Sequence, residues 1–215
     1  MIPVKILAVR HLANASPALC RALGAPEGYP ALGLITTDCD DATYIALDAA
    51  TKAAEVEVAY GRSFYAGAGN ASTPNAGEVI GILAARTPGA LGSGMEAALS
   101  ELTRVGFEQA HNVPYLAHTV SSAGTYLAKE AGVEPGEALA YLIAPPLEGM
   151  YAMDAALKAA EVRLCKLYAP PSETNFGGGL LTGTQSACDA ACVAFAAAER
   201  QTFVDIQRRA LRAHL

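Results

Sequence analysis

DAATKAAEVEV at residues 48–58 and DAALKAAEVRL at residues 154–164 are one phrase written twice. Eight of the eleven positions are identical, and the offset is 106 in a chain of 215 residues. Self-similarity at half the chain length means two copies of one supersecondary unit. Within each copy an acidic residue stands four before a lysine, Asp48 with Lys52 and Asp154 with Lys158, so each pair can meet on an exposed helix face. The alanines between them favour helix. Val56-Glu57-Val58 and Val162-Arg163-Leu164 then alternate apolar and polar, which is strand patterning. The phrase is a helix end running straight into a strand.

The repeat extends outward. VKILAVRHLANASPALCRALG (4–24) echoes VPYLAHTVSSAGTYLAKEAG (113–132) as strand, short loop and a helix closed by Gly24 or Gly132. ALGLI (31–35) echoes ALAYLI (138–143). We expect two domains of equal size, 1–108 and 109–215. In the first the patterning predicts strands at 3–9 and 31–36, a helix at 41–54, strands at 55–64 and 78–84, and a helix at 93–104. In the second it predicts strands at 114–120, 138–143 and 162–168, helices at 122–131 and 147–160, then a strand at GLLTG and a long Ala-rich helix from 186. The fold class is α/β (α+β), with helices covering one face of a mostly antiparallel sheet in each half.

Composition bounds the function. The chain is 52% hydrophobic and 17% charged, so it folds into globular domains and does not stay disordered. A net charge of −6 argues against a nucleic-acid partner. No apolar run reaches the ~18 residues of a membrane span. The first residues lack a signal-peptide pattern, because Arg10 and His11 interrupt the apolar run. Five cysteines without a CxxC fit a reduced, cytoplasmic protein. GxSxG, Walker A and HExxH patterns are all absent, so neither catalysis nor a cofactor is expected. Cys188 and Cys192, one helical turn apart on an Ala-rich helix, read better as buried small residues than as metal ligands. The four histidines have no ligand spacing.

Two features rise above this background. The turn Asp38-Cys39-Asp40-Asp41 precedes a helix. Its plain reading is capping, carboxylates serving the free N–H groups of the helix start. Three carboxylates in four residues exceed what a cap needs, and the excess suits a cation. The second feature is a pair of loops, AGAGNASTPNAG (66–77) and PPSETNFGGG (170–179), at equivalent places in the two halves. Long loops of small residues in compact domains are commonly functional.

With these residues in hand, the chain resembles bacterial microcompartment shell domains. CDDATYIALDAATKAAEVEVAYGRSFYAGAGNAST, AGEVIGILA, APPLEGMYAMDAALKAAEV and PPSETNF…LLTGTQSACDAAC are together similar to the tandem-domain shell proteins of ethanolamine-utilisation microcompartments, over nearly the whole chain. The resemblance implies two circularly permuted shell domains and a homotrimer that imitates a hexamer around a central pore. It implies lateral tiling with other shell proteins in the microcompartment shell, with Lys52 and Lys158 at tile edges. It places the pore gate in the two loops, at Phe64, Tyr65, Gly67, Asn70 and Phe176. It places ethanolamine in a small pore lined by Asp40, Asp41, Glu78, Phe107 and Asn175, where carboxylates and an aromatic face suit the ammonium and an amide suits the hydroxyl. Gly177–Gly179 add flexibility to the second loop on this reading. The alternatives are a cytosolic sensor that binds a cationic small molecule without any shell and an enzyme using the acidic turn. The lack of a nucleophile–base pair argues against the enzyme.

Overall fold

The computed structural model describes residues 1–64, 78–110, 113–169 and 174–213, with side chains as far as Gln201. The element order is β1 (Ile6–Leu12), α1 (Pro17–Ala22), β2 (Ala31–Thr37), α2 (Asp40–Ala53), β3 (Val56–Ser63), β4 (Val79–Ala85) and α3 (Pro88–Leu102). A short β5 (Glu108–Ala110) follows. Then the same order returns as β6 (Val113–Val120), α4 (Thr125–Ala131), β7 (Ala138–Ala144), α5 (Pro146–Ala159), β8 (Val162–Tyr168), β9 (Gly177–Gly183) and α6 (Gln185–Ala213). Contacts divide the chain into two compact units. The N-unit is Pro3–Gly106 with Ala123–Glu130, and the C-unit is Met1–Ile2, Phe107–Ser122 and Ala131–Leu215. The helix α4 is thus placed with the N-unit, although it follows a strand of the C-unit.

Each unit carries one antiparallel sheet, β1-β2-β4-β3 in the N-unit and β5-β6-β7-β9-β8 in the C-unit. The repeated phrase does the same thing twice. α2 ends at Ala53 and β3 begins at Val56, while α5 ends at Ala159 and β8 begins at Val162. Ala54 and Ala160, one residue past each helix, already have extended backbone angles. Even the irregularities repeat: β3 slips register between Val58 and Tyr60, and β8 between Leu164 and Lys166. The extra residues, Ala59 and Cys165, sit at the same place in both copies, and such a bulge bends a strand locally.

In the N-unit the two faces of the sheet are divided by the period-2 alternation of strand side chains. Leu32, Ile82 and Ala84 point to one face, where they form a cluster with Ala15 and Cys20 of the α1 segment. α2 and α3 pack against each other, burying Ile45, Leu47 and Ala50 of one and Leu91, Met95 and Ala98 of the other. In the C-unit α5 and α6 pack as a pair. The core there joins Tyr115, Leu142 and Leu181 of the sheet to Met153, Cys188, Cys192 and Phe195 of the helices. Cys188 and Cys192 are buried side chains of this core.

Four expectations need correction. β1 starts at Ile6 and not at residue 3, because the Lys5 N–H is taken out of the ladder by Asp38 Oδ1 at 2.8 Å. α3 starts at Pro88 and not at residue 93: Thr87 caps it by accepting from Ala90 N at 3.1 Å, and Pro88 suits the first turn. Gly177–Gly179 are not loop but the buried start of β9, paired with Ala144, Ile143 and Leu142. Gly178 has φ of +150°, and a Cβ there would fall 1.9 Å from the Leu142 carbonyl oxygen. Glycine is thus required for a close strand approach, not for mobility. Finally, the pair Asp48–Lys52 does not lie on an exposed face. Asp48 is completely buried.

Asp48 is buried because its carboxylate holds the start of α4. Its Oδ2 accepts from Gly124 N and its Oδ1 from Leu127 N, both at 2.8 Å. Lys52 Nζ lies 3.3 Å from Oδ2. One residue type therefore satisfies two orphan amides of a helix start and carries its counter-ion on the next turn of its own helix. A second buried carboxylate lies in the C-unit. Glu199 of α6 is 1% exposed, and neither of its oxygens has a hydrogen-bond partner among the described residues. Burial, with a smaller contribution from the Glu148 charge, pushes its carboxyl up to about 7.

Both carboxylates make measurable predictions. Asp48→Ala strands the Gly124 and Leu127 amides, and at about 1–3 kcal/mol for each buried unsatisfied group it should lower the unfolding free energy by about 3 kcal/mol. Urea denaturation checks this, and Asp48→Asn should lose less because the amide oxygen still accepts. The raised carboxyl of Glu199 means that the folded chain holds this proton more tightly than the unfolded chain. Its contribution to stability is present at the acid end and is lost as pH rises through about 7. Glu199→Gln should flatten the fall in melting temperature between the ordinary carboxylate range and pH 7, in a series of thermal melts.

Candidate functional site

The acidic turn lies between β2 and α2, and two threonines fix it. Thr37 at the end of β2 and Thr43 in α2 are both fully buried, and their hydroxyls meet at 2.8 Å. Each hydroxyl also stands within reach of the Cys39 carbonyl oxygen, at 2.9 and 2.8 Å, and the Cys39 N–H donates to Thr37 Oγ1 at 3.0 Å. The helix therefore starts with its turn tied to the strand by hydroxyls. The capping expectation holds in part, since Asp40 Oδ1 accepts the first-turn Asp41 N–H. Cys39 is the N-cap and makes no side-chain cap bond, while Asp40 and Asp41 occupy the first turn.

Each carboxylate has its own surroundings. Asp38 accepts the Lys5 N–H. Asp40, 8% exposed, accepts the Asp41 N–H on Oδ1 at 2.9 Å and the Ser63 hydroxyl on Oδ2 at 2.7 Å. Ser63 at the end of β3 is in turn bonded to the Tyr44 hydroxyl at 2.5 Å. Asp41 is also 8% exposed. Glu78 comes from the other side: its N–H donates to the Thr37 carbonyl oxygen at 2.8 Å, so the entry to β4 is pinned beside the end of β2. Burial raises the carboxyl of Glu78, and the charges of Asp40 and Asp38 raise it further. The Cys39 thiol is pushed well up, chiefly by burial and then by the Asp41 charge. Asp38 and Asp40 are thus brought close enough to Glu78 in the N-unit for their charges to act on its carboxyl. Among the described residues, no group of three His, Cys, Asp or Glu side chains has the arrangement of a metal site. An organic ammonium, which needs charge and hydrogen-bond acceptors but no tight coordination shell, suits this cluster better.

The other expected ligands, Phe107 and Asn175, lie in the C-unit. Phe107 opens the segment into β5, and its carbonyl oxygen accepts from Ile2 N. Its ring stacks at a tilt on that of Phe176, with centroids 5.5 Å apart. Asn175 is exposed just before β9. Of the expected gate residues, Phe64 is 42% exposed, and its N–H donates to the Glu78 carbonyl oxygen at 2.8 Å. Phe64 therefore departs from the sheet directly beside the acidic cluster. Tyr65, Gly67 and Asn70 lie outside the described residues, as do the rest of 65–77 and residues 170–173. Lys52 pairs with Asp48, and Lys158 pairs with Asp154 in its own helix.

Sequence reasoning missed Ser63, Tyr44, Thr37 and Thr43 as the groups that shape the acidic turn. Tyr44 stands one helical turn after Asp40, and helical spacing could have found it. Ser63 is 23 residues away, and only the pairing of β3 with β4 brings it there.

Comparison with known proteins agrees with this architecture. The BMC domain profile matches residues 31–115. A bacterial microcompartment shell protein EutL from Clostridium perfringens is 57% identical over 202 residues, which is 92% of this chain and 93% of that protein. The EutL shell protein of Salmonella typhimurium is 45% identical over 91% of both chains. The crystal structure of the ethanolamine utilization protein EutL from Leptotrichia buccalis matches with a TM-score of 0.90 at 56% identity, covering 93% of this chain and 94% of that one. Identity at this level over nearly the full length carries the whole tandem architecture with it, and the chain belongs to the EutL family of bacterial microcompartment shell proteins.

Proposed function

We propose that the chain is a structural tile of an ethanolamine-utilisation microcompartment shell, with no catalytic role. Its two permuted shell domains, divided near residues 108 and 109, are repeated three times in a homotrimer that surrounds a central pore. The trimers tile laterally with one another and with other shell proteins, with Lys52 and Lys158 at the tile edges. Family membership supports the shell role, and the name of the Leptotrichia relative supports the link to ethanolamine utilisation. The charge-poor composition supports assembly, because a surface with few charges is readily covered by neighbours.

The observation that carries the ligand reading is the approach of Glu78 to the acidic turn, with its carboxyl raised first by burial and then by the charges of Asp40 and Asp38. A primary ammonium relieves this repulsion. Ethanolamine is the proposed occupant, with Phe107 and Asn175 as its aromatic and amide partners. The proposed gate of the central pore comprises Phe64, Tyr65, Gly67, Asn70 and Phe176. Phe64 leaves the sheet on a backbone hydrogen bond to Glu78, so a ligand at the carboxylates is linked by one bond to the residue that opens the first loop. Such a ligand biases the gate to the extent that the two gate states bind it differently.

Two measurements test this. Light scattering should give a mass of 3 × 22.1, or about 66 kDa. A chain that stays at 22.1 kDa at high concentration favours a cationic-ligand sensor without a shell. Calorimetry with ethanolamine should show at least ten-fold weaker binding for Asp41→Ala than for the parent chain, and binding should weaken as pH falls and the carboxylates take up protons. Equal affinities would remove the assignment of this site.

A further inference from the structure

α3 and α6 occupy the same place in the two copies of the repeat and share one burial pattern. Leu91, Gly94, Met95, Ala98 and Leu102 are the buried positions of α3. At an offset of 97 residues, α6 carries Cys188, Ala191, Cys192, Phe195 and Glu199, and all five are buried. The first four pairs keep an apolar or small residue in the core. At the fifth, Leu102 is 3% exposed and its counterpart Glu199 is 1% exposed. A carboxyl group therefore stands in the core where the other copy has a leucine. Both of its oxygens are shut off from solvent, and neither has a hydrogen-bond partner among the described residues. The two helices also end differently. α3 stops at Leu102, with Thr103 as its C-cap, whereas α6 runs on from Glu199 to Ala213. Glu199 thus closes the shared pattern, and everything beyond it on α6 is an extension.

The elements packed around Glu199 supply no counter-charge among the described residues. From α5 the facing group is Glu148, of the same sign, and its charge adds to burial in raising the Glu199 carboxyl. From β6 it is Tyr115, whose hydroxyl donates to Glu108 of β5 at 2.7 Å. Burial, and then that bond, push the Tyr115 hydroxyl up to about 12, so the phenol stays neutral. β7 brings only Tyr141, and β9 has no titratable side chain. The cations of β8 act elsewhere: Lys166 lies over the Tyr168 ring at 5.3 Å, and the Arg163 charge acts on Cys165. On α6 itself, Cys192 is a thiol pushed up to about 11 by burial. Arg200, next in the chain, donates to the Tyr115 hydroxyl at 3.2 Å. His111, which precedes β6, lies outside the described residues.

We propose that Glu199 is a proton-operated latch for the part of α6 that follows it. With the carboxyl neutral, position 199 packs as Leu102 does in the other copy, and α6 lies against α5 and β6. With the carboxylate formed, the core holds an unpaired charge beside Glu148, which a dry site does not tolerate. Withdrawal of the helix from residue 199 onward relieves it. Cys188, Cys192 and Phe195 remain anchored in the C-unit core, and opening a helix end costs less than opening that core. The Arg200–Tyr115 bond is given up in the same movement. The latched form holds the proton more tightly than the released one, at about 7 against the ordinary 4.5. The latch is therefore fully engaged below the ordinary carboxylate range, weakens as pH rises, and levels off above about 7. The segment it releases, TFVDIQRRALRAHL, carries three arginines against one aspartate. The latch lies within the C-unit and does not depend on the number of copies in an assembly.

Hydrogen–deuterium exchange on the full chain, read as protection relative to the intrinsic rate at each pH, tests the latch. In the parent, protection of the 202–213 amides should fall about ten-fold or more between about pH 5 and about pH 8, while the 188–195 amides keep theirs. In Glu199→Gln and in Glu199→Leu, protection over 202–213 should change by less than about two-fold across the same range. The leucine variant keeps the test decisive should the glutamine variant misfold, because the other copy already carries leucine at this position. Glu148→Gln removes the like charge, so the fall should be smaller and should level off at a lower pH than in the parent. Protection over 202–213 that is the same at both ends of the range in the parent would overturn the latch. So would a fall of equal size in the parent and in the position-199 variants, or a parallel loss over 188–195, which marks opening of the whole core.

Discussion

A buried carboxylate that organises a helix start is the constraint on which the N-unit depends. Asp48 has no access to water, and a charge in that position is tolerated only because its oxygens are engaged. Two backbone amides of the α4 segment and the ammonium of Lys52 engage them. The surrounding residues follow from that. Residue 124 must be glycine, because a side chain there would strike the backbone of α2. Thr51 takes the next amide, and Tyr44 takes the ring of Tyr126. Residues 74 to 82 positions away in the chain are fixed to one side of α2, and this is why 123–130 belongs to the N-unit.

The same helix carries the acidic turn at its other end. α2 buries Leu47 and Ala50 along its length, and its first turn is tied to β2 by the Thr37 and Thr43 hydroxyls. A helix fixed so firmly at both ends can hold Asp40 near Glu78 against their mutual repulsion. Burial first, and then the charges of Asp40 and Asp38, raise the carboxyl of Glu78. A chain that kept these residues only for capping would have no reason to direct Asp40 to Ser63 and to bring Glu78 alongside.

Much of the fold was legible in the repeated phrase. Helix running into strand, the order of elements, the glycines that end α1 and α4, and the antiparallel sheets all follow from local pattern. The failures were also local and have particular causes. The expected helix at 93–104 begins five residues too late and Gly177–Gly179 are assigned to a loop, yet the helix begins at Pro88 on a threonine cap and the three glycines begin a buried strand. Glycine reports permissiveness, and only the neighbours decide how it is used. Of the candidate site, Asp40 and Asp41 are legible in the sequence because carboxylates at a helix start attract notice, whereas Glu78, which precedes a strand, enters only through the family resemblance. Ser63 was not, because a serine near the end of a strand carries no signal without the pairing that places it.

The deepest contrast is between Asp48 and Asp154. By itself the sequence determined that both stand four residues before a lysine on Ala-rich helices, and both ion pairs are present. Read locally, the two are equivalent. The tertiary structure alone decided that one is buried and the other bare. The physical reason is that a periodic pattern states which residues share a helix face, whereas burial depends on which distant backbone arrives to cover that face. For Asp48 that backbone is the start of α4, 76 residues away.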